Sequence, residues 1–591
     1  MAHKINRREF MGLAAAAALT PSLGRAAGAA SRSKKATMKG TIMAQVKLQP
    51  FNYRNVRLLD GPFQRQMAAT RDFYFGIPDD DILKGFRRKA GLPAPGQDMG
   101  GWCGDTTAVV FGQWLSGMAR LSHAMGDAAL RDKALTLMTE WGKTLPKIGF
   151  GHYDYDKYVC GLTDLAEFAG SGEALTLLAS LTDRAEKSLG RIRLPATDAD
   201  SQGGYFNGEM EWYTLAENLC RAYLLTGDAR YREFADVWRY PQYWGMFTGE
   251  APPKPDGFHG YSHVNTLSSA AMLYAVTGDP AYLKAIVNAH DYFQRTQCYA
   301  TGGYGPGEKL MPADGSLGRS VETEPNAKYL GGTVGRSFET PCGTWAVFKL
   351  CRYLLQYTGE ARFGDWMERL LYNGIGAALP MHGRGQTFYY ADYRLRDARK
   401  YYFGDPWPCC SGTYLQNIAD FHNIIYFGSA EGLSVNLYVP SEVAWQHGGQ
   451  EITLTQRTDY PEKETVTLIV QMPYPAAFAL RVRVPAWAHG VTARVNDQPV
   501  PHGGTPGAWA TIHRQWQPGD RVTLHLPLPP RQVPIDEQHP QRVALARGPV
   551  ILVRPHDSPA PAGGALTPAG MIPFPQIGRD RPYSMYFDLE P

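Results

Sequence analysis

Residues 224–231 read LLTGDARY, residues 275–282 read AVTGDPAY and residues 356–363 read QYTGEARF. Each ends an apolar run in Thr-Gly, adds an acid, and opens a second run with helical spacing, such as LKAIVNAHDYFQR (283–295). Glycine after a helix adopts the left-handed C′ conformation at no steric cost, and the acid can cap the helix that follows. Looser copies stand upstream as SHAMGDAAL (122–130) and FAGSGEAL (168–175), so Gly126, Gly172, Gly227, Gly278 and Gly359 are the expected C′ residues. The first four lie about fifty residues apart, one helical hairpin each. Repeated hairpins build an open solenoid or a closed toroid. The Gly- and aromatic-rich connections SQGGYFNGEMEWY (201–213) and ATGGYGPGEK (300–309) favour the toroid, where such loops line a central cleft. The expectation is an (α/α)6 barrel over 51–428.

From about residue 430 the period becomes two. ETVTLIV (464–470), FALRVRVPAW (478–487), DRVTLHLPL (520–528) and RVALARGPVILV (542–553) alternate or run apolar over strand lengths, with turn residues between them. The fold class is therefore mainly α with β: a barrel followed by a β-sandwich over 429–555. QVKLQPFNYRNVRLLDGPF (45–63) also reads as extended and adds an early strand. The Pro/Gly-rich stretch 556–591 is expected as loop or covering tail.

The N-terminus carries Arg7-Arg8, Phe10, a short alanine-rich run and Ala27-Gly28-Ala29. That order reads as a twin-arginine export signal over 1–30 with a linker over 31–50, which places the protein in the periplasm or outside the cell. The apolar run is too short to span a bilayer, and no later run of about twenty apolar residues exists. Residues 1–39 hold eight Lys/Arg and one Glu, net +7, against +4 for the whole chain, which leaves −3 for the rest. No basic run remains for nucleic acid or an anionic membrane. Aromatic residues make up 12% of the chain, with 33 Tyr and 13 Trp, a supply of rings suited to stacking on sugars. The sequence leaves monomer and homodimer open.

Eight cysteines in 591 residues do not form a secreted disulfide framework, yet two are adjacent in GDPWPCCSGTYLQN (404–417). Neighbouring Cα atoms stand about 3.8 Å apart, below the usual disulfide span of roughly 4.4–6.8 Å. Cys409 and Cys410 thus point to a metal or to thiol chemistry. GRSFETPCGTWAVFKLCRYLLQYTG (335–359) offers their partners. Thr340 reads as an N-cap and Pro341 as the first helical residue, so Cys342 falls where the helix dipole favours a thiolate. Glu339 stands just before. Cys351, nine residues beyond Cys342, faces the opposite side, and it joins Cys103, Cys160, Cys220 and Cys298 as buried core thiols. Glu339, Cys342, Cys409 and Cys410 would make a three-thiolate, one-carboxylate zinc site. On spacing alone, an incidental pair with a buried Cys342 stays an equal alternative.

These residues sit in a series of phrases: FRRKAGL (86–92), GQWLSGMAR (112–120), SHVNTL (262–267), TGGYGPGE (301–308), LYNGIGAAL (371–379), the Cys-Cys element and ARGPVILV (546–553). In that order, from about Val56 to Val553, the chain resembles the DUF1680 group of glycoside hydrolases, the family 127 β-L-arabinofuranosidases and the related family 146. The resemblance implies an (α/α)6 barrel with β-sandwich domains and a retaining hydrolysis of a glycan or glycoside. It implies Zn2+ held by Glu339, Cys342, Cys409 and Cys410, Cys409 as nucleophile, and Glu308 as acid/base. It also implies that His263 and Tyr390 meet the sugar. Asp156 and the region of Glu217 stand where the family has cleft histidines. Further departures are Glu339-Thr-Pro-Cys342 for Glu-x-Cys, Cys-Cys-Ser-Gly-Thr for Cys-Cys-Pro-Pro-Asn, and an insertion over about 309–335, read as a cleft rim that selects the substrate. The histidine changes bear on the sugar more than on the reaction class. Two other readings remain: a two-carboxylate glycosidase with a structural zinc, and a non-catalytic glycan-binding barrel.

Overall fold

The computed structural model describes residues 46–104, 109–189, 211–322, 336–558 and 566–589. The expected signal (1–30) and most of the linker lie outside the described residues. Fifteen α-helices lie among the described residues, and twelve of them form the paired layers of the helical domain: α1 (Pro62–Phe75), α2 (Phe111–Met125), α3 (Ala128–Gly142), α4 (His152–Phe168), α5 (Gly172–Ser188), α6 (Leu215–Thr226), α7 (Ala229–Val237), α8 (Gly260–Thr277), α9 (Pro280–Thr296), α10 (Thr340–Thr358), α11 (Gly364–Asn373) and α12 (Cys409–Ile424). Helices α2, α4, α6, α8, α10 and α12 each pack on the next, and α12 packs on α2, closing a ring. The ring helices are buried over most of their surface, whereas α3, α5, α7 and α9 each bury a single stripe, such as Leu130, Ala134, Leu137 and Trp141 of α3. A one-sided stripe belongs to an outer layer. Six hairpins in a closed ring, with α1 behind α12, are consistent with the expected (α/α)6 barrel.

Gly126, Gly227, Gly278 and Gly359 end their helices with φ of 66°, 73°, 73° and 74°. Asp127, Asp228 and Asp279 then cap the next helix through their side chains. The second repeat differs: Gly170 is the left-handed residue (φ 70°), and Gly172 is the first residue of α5. Ser171 between them is the better N-cap, accepting from the Ala174 N–H at 3.1 Å, and it shifts the boundary by two residues. Ring contacts are tight enough to exclude side chains. A Cβ on Gly112 of α2 would stand 2.1 Å from the Lys157 carbonyl oxygen of α4.

Two β-sheets follow the ring, of five and seven strands. The early extended segment supplies an edge to each. β1 (Gln49–Pro50) pairs antiparallel with Tyr426–Ser429, and β2 (Val56–Leu58) with Ser441–His447. A third sheet begins at Pro530 and is completed by Ile572–Pro573, Tyr583–Ser584 and Tyr586–Asp588. The stretch expected as a tail is therefore partly strand, and position 555 lies inside that sheet. Three short strands inside the helical domain, β3 (Phe338–Glu339), β4 (Phe388–Ala391) and β5 (Lys400–Tyr402), carry no periodic signal and were not expected. They are too short for one. Among the described residues no helix is long and apolar enough to cross a membrane.

The described half of the 309–335 insertion is packed down rather than free. Leu310, Met311, Leu317 and Val321 are buried, the Leu310 N–H donates to the Phe258 carbonyl at 2.8 Å, and Arg542 donates to the Gly318 carbonyl at 2.7 Å. Residues 323–335 lie outside the described residues.

Candidate active site

The starts of the ring helices converge at one end of the barrel. Cys409 and Cys410 are the first two residues of α12, after an extended Pro408. Cys342 is in the first turn of α10. The N-cap of α10 is Glu339 rather than Thr340, whose hydroxyl turns back to the Phe338 carbonyl at 3.2 Å. The Glu339 carboxylate makes no capping bond because it is turned to the thiols. Cys409 Sγ and Cys410 Sγ lie 3.4 and 3.5 Å from Glu339 Oε1, and Cys410 Sγ lies 3.4 Å from Cys342 Sγ. Asn417 of α12 donates to the Pro341 carbonyl at 2.7 Å, fixing the two helix starts together.

Chain register brings up the next group. β3 pairs with β4 so that Glu339 opposes Tyr390. The Tyr390 hydroxyl donates to Glu308, and the neighbouring Tyr389 hydroxyl is 3.3 Å from Cys409 Sγ. His259, the N-cap residue of α8, was not singled out from the sequence, yet it joins the carboxylates. Its Nε2 is 3.6 Å from Glu339 and 3.7 Å from Glu308, and its Nδ1 is 3.8 Å from Glu211.

Six of the expected residues, Glu308, Glu339, Cys342, Tyr390, Cys409 and Cys410, thus form one contact group. His263, Asp156 and Glu217 are outside it. His263 is one turn into α8, fully buried among Tyr213, Tyr243 and Phe258, and burial, with the nearby His259, lowers its pKa to about 3. Asp156 accepts from Lys157 at 2.9 Å, Thr214 at 3.0 Å and Asn218 at 2.8 Å. Glu217 is paired with Lys349 and takes the Tyr353 hydroxyl at 3.0 Å.

Backbone strain marks the same place. Among the described residues six non-glycine positions have positive φ. Asp397, Asn496 and Asp497 are of types that tolerate it. The other three are Glu211, Glu308 and Trp407, two acids of the contact group and the residue two before Cys409. Such strain costs about 1–3 kcal/mol per residue and persists where the surroundings over-determine it.

The electrostatics separate the roles. Burial opposes ionisation of Cys409, but hydrogen bonds from Cys342, Cys410 and Tyr389 outweigh it and hold this thiol well below the usual range. Burial pushes Cys342 and Cys410 up. The Glu308 carboxyl is raised by burial and by Glu339, against His259 and Tyr390. His259 rises to about 9 because Glu339, Glu308 and Glu211 together overcome its burial.

The four atoms offered by Glu339, Cys342, Cys409 and Cys410 all lie within 4.8 Å of one another. Glu339 Oε2 is buried without a hydrogen-bond partner. Three sulfurs and one carboxylate oxygen, in contact and partly unsatisfied, fit a tetrahedral zinc ion.

A model of the GH127 β-L-arabinofuranosidase catalytic domain matches residues 55–423, and one of the GH127 middle domain matches residues 432–528. No curated protein matches the sequence. Among solved structures, a GH127 β-L-arabinofuranosidase from Geobacillus stearothermophilus T6 superposes with a TM-score of 0.67 at 19% identity, covering 91% of this chain and 100% of its own. A second GH127 β-arabinofuranosidase gives 0.70 at 18% identity, covering 92% and 98%. Identities this low speak to the fold, while the two domain matches in series decide the family. The chain belongs to the GH127 family of glycoside hydrolases.

Proposed function

We propose that this protein is an exported, retaining hydrolase of β-L-arabinofuranoside-like substrates in which Cys409 attacks the anomeric carbon and Glu308 is the acid/base. The observation that carries the reading is the contact of three thiols and Glu339 at two helix starts, beside a separate carboxyl, Glu308, whose pKa is raised by burial and by Glu339. Zinc held by Glu339, Cys342, Cys409 and Cys410 would keep their thiolates ionised at neutral pH.

Cys409 sits at the first position of α12, where the helix dipole favours its anionic form. Its sulfur forms the C–S bond as the glycosidic C–O bond breaks, and Glu308 delivers its proton to the departing oxygen. Glu308, now a carboxylate, takes a proton from water, which displaces the sulfur and restores both groups. Net retention follows from two displacements. Tyr390 holds the Glu308 carboxyl by a hydrogen bond, and His259 spans Glu308 and Glu339.

Glu308→Gln keeps the nucleophile and loses the proton donor. With an aryl glycoside that needs little protonation, one sugar should accumulate on the peptide containing Cys409, read by mass spectrometry. A sugar found on a carboxylate, or an inverted product by NMR, would falsify the cysteine route and favour a two-carboxylate mechanism.

A further inference from the structure

Glu211 has no part in the chemistry above. It precedes the short turn Trp212–Thr214 that leads into α6, and its backbone is left-handed (φ 57°, ψ 27°) like that of Glu308. Its side chain is buried. Oε2 has no hydrogen-bond partner, and the Lys157 ammonium stands 3.5 Å away, over the Tyr153 ring. Oε1 faces His259 Nδ1 at 3.8 Å.

Two phenols flank Lys157 and His259. The hydroxyls of Tyr153 and Tyr261 are buried, at 7% and 3% exposure for the residues, and neither has a partner. Lys157 Nζ, the neighbour of Glu211 Oε2, stands 4.5 Å from the centre of the Tyr153 ring, and the Tyr261 ring lies 5.9 Å, edge to face, from that of His259, the neighbour of Glu211 Oε1. Glu211 and the two phenols thus border the same two cations, Lys157 and His259, and each keeps a buried oxygen short of hydrogen bonds. Leaving such groups unpaired is costly, and a site built for a hydroxylated ligand is one place where proteins keep them.

We propose that Glu211, Tyr153 and Tyr261 form the wall that reads the hydroxyl groups of the bound sugar, with Glu211 accepting from two neighbouring hydroxyls, and that this wall selects neutral sugars over uronates. The proposal rests on the glycosidase reading for the location of the sugar. Glu211 is an acceptor when ionised, so it wants donors, and a sugar diol supplies two. The phenols can donate to ring or hydroxyl oxygens. A uronate would bring its carboxylate beside Glu211, Glu339 and the three thiolates, whose five negative charges exceed the four positive ones that Lys157, His259 and a bound Zn2+ would supply, with Glu308 protonated as the acid. Lys157 is also shared with Asp156. Like charges at this spacing are mutually unfavourable.

Calorimetric titration of the full chain with L-arabinose, D-xylose, D-galactose and D-galacturonate tests it. At least one neutral sugar should bind and D-galacturonate should bind at least about tenfold more weakly. Glu211→Gln should weaken the neutral sugar about tenfold or more with an unchanged melting temperature, and Tyr153→Phe and Tyr261→Phe about three- to tenfold each. If Glu211→Gln does not fold, Glu211→Asp, which keeps the charge and retracts it, should show the same loss. Binding within twofold of wild type in the Glu211 variant, tighter binding of galacturonate, or no neutral sugar bound by wild type would overturn the proposal. Hydrolysis is read separately on aryl furanosides. A wild type that turns over none of them, yet loses sugar binding on Glu211→Gln, would remove the glycosidase reading and leave this one standing.

Discussion

Tyr390 donates its hydroxyl to Glu308 while its backbone is the register partner of Glu339, so one tyrosine sets the acid against the cysteine cluster. That bond favours the Glu308 carboxylate, opposing the burial and the Glu339 charge that raise it. Tyr390→Phe should raise the Glu308 pKa further. Because the acid must be protonated, activity is lost as pH rises through that value. The basic limb of the kcat/KM profile should therefore move to higher pH, by about half to one unit. The maximum should fall by up to about tenfold as the carboxyl loses its tether. A limb that moves to lower pH contradicts the assignment of Glu308 as acid.

Purified protein should carry about one zinc per chain, measured by elemental analysis. Cys342→Ser removes a ligand without touching Cys409, so zinc content should drop together with the melting temperature. Chelation of wild type should give a comparable loss of stability, because metal bound only by the folded state adds to its free energy. Full zinc in the Cys342→Ser protein would place the metal elsewhere.

At the other end of the ring Glu167 is raised to about 7, chiefly by burial, although Arg221 Nη2 lies 3.6 Å away. The folded protein therefore holds a proton that the unfolded chain releases near the ordinary carboxyl value. Stability from this group is present at acid pH and is lost as pH rises from about 4.5 to 7. Glu167→Gln should match wild type near pH 5 and exceed it by about 2 kcal/mol near pH 8 in denaturant titrations. An equal stability difference at both pH values would show that the group does not titrate in this window.

Gly112→Ala places a methyl 2.1 Å from the Lys157 carbonyl. Helices α2 and α4 must part to accept it, which should cost about 3 kcal/mol or more and lower the melting temperature. Zinc content per folded molecule should stay unchanged, since the thiols belong to α10 and α12. A melting temperature equal to wild type would mean the two helices are free to slide.

The repeated Thr-Gly-acid phrase made the hairpins legible because a left-handed glycine and a cap are local requirements. Only FAGSGEAL misled, having two glycines around a serine and no local rule to rank them. The cysteine cluster could be assembled from type and helix position, Cys342 at one helix start and the pair at another. His259 could not be separated from His263. They lie four residues apart on one helix face, so periodicity treats them alike. What distinguishes them is depth: the N-cap residue meets the carboxylates, and the residue one turn inside meets rings. Glu211 was hidden for a similar reason, because its role comes from a left-handed backbone that no side-chain pattern announces. The β3–β4–β5 sheet is built from strands of two to four residues, below the length at which alternation can be read.

The pairing of β1 and β2 with strands at Tyr426–Ser429 and Ser441–His447 has a consequence for biosynthesis. The first described segment finds its partners only after about 380 further residues have been added to the chain. Helix α12, which meets α2 to complete the ring, arrives equally late. Until then the emerging hairpins hold apolar faces with nothing to cover them, and contacts of such long sequence separation form slowly. A ribosome-bound chain stopped near residue 400 would lack both the Cys-Cys element and the strands that pin its own beginning, so the helical half should not mature ahead of the β half.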